Sequence, residues 1–335
     1  MPFIQGPVRW GIIGCGDVCE VKSGPAFGKI MQSSLVAVMR RDSAKAEDFA
    51  TRHNVPRFYT SARELINDKE VNAVYIATPP ESHEKYAIEV MQAGKPVYIE
   101  KPVTVDTSSC QRMIAASQHY NVPAVVAHYR RELPLFKKVK ETIETGGIGD
   151  VLVVQLRLFQ APKNTNAKEN WRLNPTVSGG GNFFDLAPHQ LDILYWIFGP
   201  PQKTSGFSIN QGKHYDAPDL TTLNAVFQKD IVFQGMWSFN APENEQCDTC
   251  KIIGTNGTLE FPFFASFQKA TLTTRRQEEK NNRMDEFVFP ENIQQPMIQE
   301  VVSYFQGLRV NPCSLDEALV TLRMMEKANM SENKS

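Results

Sequence analysis

The chain reads as an α/β protein of two domains: an N-terminal doubly wound parallel sheet, then an α+β domain with a large, mainly antiparallel open sheet. Three observations predict it. The first third alternates short β-branched runs with helical patterns. Strands beyond residue 150 are longer and follow one another through turns. The 335 residues make about two domains of ordinary size.

In the first domain, residues 8–13 (VRWGII), 35–39 (LVAVM), 72–77 (NAVYIA), 97–99 (VYI) and 124–127 (AVVA) are brief, apolar and flanked by turn residues, as buried parallel strands are. Helix candidates separate them. Ser61-Ala-Arg-Glu64 is a capping-box pattern that opens one helix, and residues 83–93 place Ala87, Val90 and Met91 on one face before Gly94 stops the next. Strict alternation means βαβ units with right-handed crossovers. Asn121-Val-Pro123 closes the alternating region, which sets the domains at 1–122 and 123–335, with strand 124–127 open to either sheet.

Residues 151–159 (VLVVQLRLF), 220–227, 231–239, 251–253 and 258–261 are joined by turns, so a mainly antiparallel sheet is expected. Helices are expected over 186–198, 297–308 and 314–329, packed on one face of that sheet. The polar run 275–283 (RRQEEKNNR) reads as a solvated hairpin turn.

Lys plus Arg total 36 against 37 Asp plus Glu, and no long run of one sign occurs, which argues against a nucleic-acid or membrane-surface binder. An apolar share of 41% suffices for sizeable cores. Six scattered cysteines do not form a secreted disulfide framework, so reduced thiols and a cytoplasmic location are expected. The N-terminus carries no export signal pattern, and no stretch approaches the length of a membrane span.

Three segments carry chemistry. Gly14-Cys-Gly16-Asp17-Val18 directly follows the first strand. In a dinucleotide-binding fold the first glycine makes the tight turn, the second lets backbone approach a pyrophosphate, and the helix start favours negative charge. A third glycine is replaced by Cys19. The second strand then ends Met39-Arg40-Arg41-Asp42. Two guanidinium groups there suit a 2′-phosphate, whereas Asp42 would serve a ribose hydroxyl, so the reading favours NADP over NAD.

Next, Glu100-Lys101-Pro102 ends a strand at the edge where open α/β sheets meet ligands. This places Lys101 to meet a substrate, unless it is a surface lysine paired with Glu100. Finally, Gly179-Gly-Gly leads to a helix expected to hold Pro188 in its first turn, with Asp185, His189 and Asp192 on one face. A helix start disfavours imidazolium and would keep His189 able to accept a proton; a capping Asp and a buried structural His are the plainer alternative. With no third ligand, this is a poor metal site, and no metal is expected. Cys247-Asp-Thr-Cys250 lacks the second pair of a zinc ribbon and the helix of a redox motif.

Taken together, the segments resemble the glucose-fructose oxidoreductase and inositol dehydrogenase family (Gfo/Idh/MocA) over nearly the whole chain. The matching residues are Trp10-Gly-Ile-Ile-Gly14-Cys-Gly16, Ala77-Thr-Pro-Pro-Glu-Ser-His83, Gly94-Lys-Pro-Val-Tyr-Ile-Glu100-Lys101-Pro102, Arg130-Arg131, Trp171-Arg172, and Gly179-Gly-Gly with Asp185 and His189. The resemblance implies a Rossmann domain and an α+β domain whose open sheet mediates homodimers or homotetramers. It also implies hydride transfer between NADP or NAD and a hydroxyl carbon of a sugar, polyol, cyclitol or related diol. Carried over, Lys101 hydrogen-bonds the reacting oxygen, His189 is the general acid/base, and Asp185 orients substrate or Lys101. Thr78, Pro79, Pro80 and His83, the Glu100–Pro102 turn, Trp171 and Arg172 would lie along the cofactor, with Tyr129 and Arg130 as substrate candidates. Ala187-Pro188 replaces the family's more usual glycine after Asp-Leu. A nicotinamide-binding sensor without turnover, and a lyase or glycosidase using transient oxidation, are the competing functions.

Overall fold

A computed structural model describes residues 3–163, 170–264, 269–279 and 281–329; Lys280, within the polar run above, lies outside the described residues. The chain forms two compact units. One runs to Tyr129 and takes back Pro290–Leu319, and the other holds Arg130–Phe289 and the chain from Val320 onward. A single cut after residue 122 therefore misses two things: the strand Ala124–Val126 pairs into the first sheet, and the chain later returns to that unit.

The first unit is a six-stranded sheet: β1 (Val8–Ile13), β2 (Ser33–Met39), β3 (Arg57–Tyr59), β4 (Ala73–Ile76), β5 (Val97–Ile99) and β6 (Ala124–Val126). The order is β3-β2-β1-β4-β5-β6 and every pair is parallel. β4, β5 and β6 are buried throughout, which is why they read as unbroken apolar runs. Strand order reverses direction between β1 and β4, so the carboxyl ends of these strands open the ligand crevice of such a sheet. Ala87, Val90 and Met91 face the core from the helix His83–Gln92 as expected. Ser61 does stand before the helix Ala62–Asn67, but its side chain makes no cap bond. The reciprocal box forms instead at Ser314 and Glu317: the Ser314 N–H donates to Glu317 Oε2 at 2.8 Å, and the Glu317 N–H donates to Ser314 Oγ at 3.2 Å.

The second unit is an eight-stranded sheet of β7 (Val151–Phe159), β8 (Lys203–Ile209), β9 (Leu220–Val226), β10 (Val232–Ser238), β11 (Cys247–Gly254), β12 (Gly257–Phe261), β13 (Lys269–Arg276) and β14 (Arg283–Val288). The order is β14-β13-β12-β11-β7-β10-β9-β8, antiparallel except for β7 with β10. Burial alternates along β7 and β10, so one face is core and the other is open. Cys247 and Cys250 lie three apart in β11 and therefore point to opposite faces. All six cysteines are free.

One helix differs from expectation. It spans Gly181–Phe198, five residues earlier than predicted, and Pro188 sits inside it rather than in its first turn. Ser178 caps the early start, its Oγ accepting the N–H groups of Gly180 at 3.3 Å and Gly181 at 2.9 Å. Pro188, lacking an N–H, leaves the Phe184 carbonyl without its helical donor. Among the described residues no helix is long and apolar enough to cross a membrane.

Candidate functional site

In the first unit, the turn after β1 is tied to the end of β2, where the Met39 carbonyl accepts the N–H groups of Gly14 (2.9 Å) and Cys15 (3.3 Å). Gly14 has φ +91°, and a Cβ there would lie 2.6 Å from Thr78 Cγ2 and 3.0 Å from the Ala77 carbonyl carbon. Its glycine identity is demanded by the approach of the β1 and β4 turns. Gly16 is different. A Cβ there would meet nothing nearer than the Gly14 oxygen at 4.0 Å, so the protein itself leaves that space open. A backbone bare of side chain, next to open space at a helix start, fits the close approach of a pyrophosphate. Asp17 is exposed and Val18 half-buried at the same turn.

Arg40, immediately after β2, folds back so that Nη1 donates to the Cys15 carbonyl at 3.3 Å. Its charge therefore lies beside the nucleotide turn, while Arg41 is exposed. Asp42 is occupied in capping the helix Ser43–Arg52, its Oδ1 accepting the Lys45 N–H at 3.2 Å.

The segment after β4 places Thr78 and Pro79 half-buried and Pro80 buried. Ser82 Oγ donates to Thr78 Oγ1 at 2.7 Å. His83 is fully buried. Its Nε2 lies 2.7 Å from the Thr78 carbonyl, and its Nδ1 lies 3.1 and 3.2 Å from those of Pro102 and Val103. Burial lowers its pKa against those carbonyl contacts. His83 thus staples the β4 turn to the β5 turn.

Lys101 follows β5, half-buried, at the carboxyl edge of the sheet, and its bond to Pro102 is cis. Glu100 also departs from expectation. It is 5% exposed, and its carboxylate accepts from Tyr75 Oη (2.5 Å), Gln294 Nε2 (2.6 Å) and the Lys101 N–H (3.1 Å). All three partners are protein groups, which turns Glu100 into the core. Gln294 and Tyr75 carried no signal in the sequence.

In the second unit, Asn170 caps the short turn Trp171–Leu173 by accepting the Arg172 N–H. The Arg172 guanidinium lies 4.7 Å from the Trp171 ring centroid, and its Nε donates to Asp185 Oδ2 at 3.0 Å. Asp185 and His189 are one helical turn apart on the helix Gly181–Phe198 and share its face. His189 is 5% exposed and meets the Phe264 ring edge-on, with centroids 5.7 Å apart. It is the ninth residue of its helix, so the helix-start argument for its neutrality lapses, because the dipole acts within the first turn.

Asp192 is not part of a proton-transfer set. It forms a buried, two-pronged ion pair with Arg131, at 2.9 and 2.7 Å. Arg130 is also committed to protein. Its Nη1 donates to the Phe263 carbonyl at 2.6 Å, and its guanidinium stands 4.6 Å over the Phe264 ring. It backs the ring that packs on His189. Tyr129, its chain neighbour, is buried in the first unit.

Comparison with known proteins agrees with these two halves of the chain. The oxidoreductase family model with an NAD-binding Rossmann fold, GFO_IDH_MocA, matches residues 8–128, and the GFO/IDH/MocA C-terminal domain matches residues 136–260. Oxidoreductase P35 of Formosa agariphila is 41% identical over 96% of this chain and 98% of its own length. The 1,5-anhydro-D-fructose reductase of Ensifer adhaerens is 25% identical over 75% of this chain and 74% of its own. A levoglucosan dehydrogenase solved with NADH and levoglucosan shares the fold, with a TM-score of 0.84 over 96% of each chain at 19% identity.

Proposed function

The chain belongs to the Gfo/Idh/MocA oxidoreductase family, and from that premise we propose an NADP-preferring dehydrogenase or reductase of a sugar, polyol, cyclitol or related diol. One observation carries the reading: Lys101 stands on a braced turn at the carboxyl edge of the Rossmann sheet, and Asp185 and His189 share one helix face. The substrate class is supported by a relative named for an anhydro-sugar, the 1,5-anhydro-D-fructose reductase. The Arg40 placement and the capping use of Asp42 support NADP.

A bound nicotinamide supplies the acceptor or donor of hydride. The chain's own groups do the rest. In the oxidative direction the substrate hydroxyl loses its proton to His189 as hydride leaves the same carbon, and the Lys101 ammonium stabilises the developing charge on oxygen. Asp185, held by Arg172 at 3.0 Å, orients the substrate or the lysine. In reduction the same groups act in reverse, with His189 returning the proton.

We also propose that the open sheet face pairs copies of this chain. Phe207, Thr222 and Met236 lie in one register row across β8, β9 and β10, with Phe207 51% and Met236 37% exposed. Exposed apolar side chains on a flat face favour association. Six free thiols support a reducing, cytoplasmic setting.

The test is nicotinamide absorbance with aldoses, polyols, cyclitols and ketoses, using NADP and NAD in both directions, on the native protein, Lys101→Met and His189→Asn. Turnover that needs both residues upholds the reading. Turnover that stays near the native rate in Lys101→Met overturns it, whereas a small residual rate does not, and cofactor binding with no turnover on any substrate points to a sensor.

A further inference from the structure

A buried polar clasp links the nucleotide turn to the Lys101 turn. It is made by Asn292-Ile293-Gln294, which the chain brings back to the first unit. The Asn292 side chain donates from Nδ2 to the Val21 carbonyl at 2.6 Å, and the Gln294 N–H donates to the Lys22 carbonyl at 3.3 Å. Val21 and Lys22 end the helix that begins at the Gly16 turn. From the same segment, Gln294 Nε2 donates to Glu100 Oε1 at 2.6 Å, and Glu100 Oε2 accepts the Lys101 N–H at 3.1 Å.

The chemistry leaves little freedom. The Glu100 carboxylate accepts the Gln294 Nε2 donor, and Gln294 Oε1 accepts the Tyr98 hydroxyl at 3.5 Å. Gln294 is fully buried, Asn292 3% exposed and Glu100 5% exposed. A buried carboxylate deprived of a donor is costly, so the pairing is held tightly. Burial and the Glu100 charge raise the pKa of Tyr75 and Tyr98, which keeps both phenols protonated as donors.

We propose that Gln294, acting through Glu100, is a positioning residue: it sets the Lys101 backbone in fixed register with the nucleotide turn, so that a cofactor seated on Gly14–Val18 finds the lysine at the reacting oxygen. This rests on Lys101 acting as proposed above. Glu100 is thereby a support of the site and not a cofactor contact.

A double-mutant cycle tests it, using kcat at saturating cofactor, cofactor Kd from fluorescence quenching, and the unfolding midpoint. Gln294→Met is expected to lower kcat roughly ten- to hundredfold with the cofactor Kd changed less than about threefold. In the Lys101→Met background the same change is expected to cost less than about twofold of the residual rate, because the effect runs through Lys101. Three outcomes overturn the inference: an unchanged kcat, equal losses in both backgrounds, or a loss that follows a weakened cofactor Kd. Glu100→Gln and Tyr75→Phe keep the volume and run the same cycle if Gln294→Met does not fold. Lys101→Met that turns over like the native protein defeats the functional reading itself. An inactive Lys101→Met beside a fully active Gln294→Met defeats only the clasp.

Discussion

Arg40 donates from Nη1 to the main-chain carbonyl of Cys15, 3.3 Å away and twenty-five positions earlier in the chain. This single bond lays a guanidinium against the turn proposed to seat the dinucleotide. Arg40→Ala is expected to weaken NADP binding by about 1.5–3 kcal/mol, roughly ten- to hundredfold, as loss of a charge-assisted phosphate contact does. NAD, without the 2′-phosphate, should change by less than about threefold. Calorimetric titration of both cofactors checks the ratio, and an equal loss for both would remove the case for NADP.

Gly14 and Gly16 should respond oppositely to alanine. Gly14→Ala forces a side chain into φ +91° and within 2.6 Å of Thr78 Cγ2, so the protein itself should lose about 1–3 kcal/mol and its unfolding midpoint should drop. Gly16→Ala meets only the Gly14 oxygen at 4.0 Å. Its midpoint should hold while cofactor affinity falls about tenfold, because the added methyl occupies space the pyrophosphate would use. Thermal melts with and without cofactor separate the two.

Arg131 and Asp192 are 3% and 1% exposed at the side chain, and they meet through two bonds. Removing one partner strands the other charge, so Asp192→Leu should cost about 3–5 kcal/mol. Adding Arg131→Met should recover a substantial part of the lost midpoint, since an apolar pair leaves no orphaned ion. A double variant no more stable than the single would contradict this account.

Acid stability has an identifiable contributor at Glu20. Hydrogen bonds from Arg52 at 2.7 and 2.8 Å, with His53 at 2.9 Å, hold its pKa at about 2, below the usual 4.5. A depressed carboxylate pKa adds stability that is complete above pH 4.5 and drains away as pH falls toward 2. Glu20→Gln should therefore lower the unfolding midpoint modestly at pH 7, the pair being partly exposed, and leave it nearly unchanged near pH 2, so that the decline between those values is flatter.

Legibility in the sequence followed how local each signal is. β4 and β6 announced themselves because a strand buried on both faces carries apolar side chains throughout. β8 (KTSGFSI) did not, because an edge strand with only half-buried and exposed positions needs no apolar rhythm. The helix Gly181–Phe198 was found but started late, since its cap is a serine side chain ahead of three glycines and its proline lies in the interior. Among the candidate residues, Gly14 and Lys101 of the first unit and Asp185 and His189 of the second stood out by type and spacing. Their partners did not: Gln294 is 194 positions from Glu100, and nothing near either residue foretells the bond.

What the sequence by itself determined was the strand–helix alternation of the first unit and the two-part architecture, because periodicity and turn residues are local properties. Tertiary structure alone decided that Glu100 turns inward, that His83 staples two turns, that Arg130 backs an aromatic ring and that Asp192 serves Arg131. Each of those outcomes depends on which distant group fills the remaining hydrogen-bond capacity of a buried polar side chain. Only the folded chain brings those groups into contact with one another.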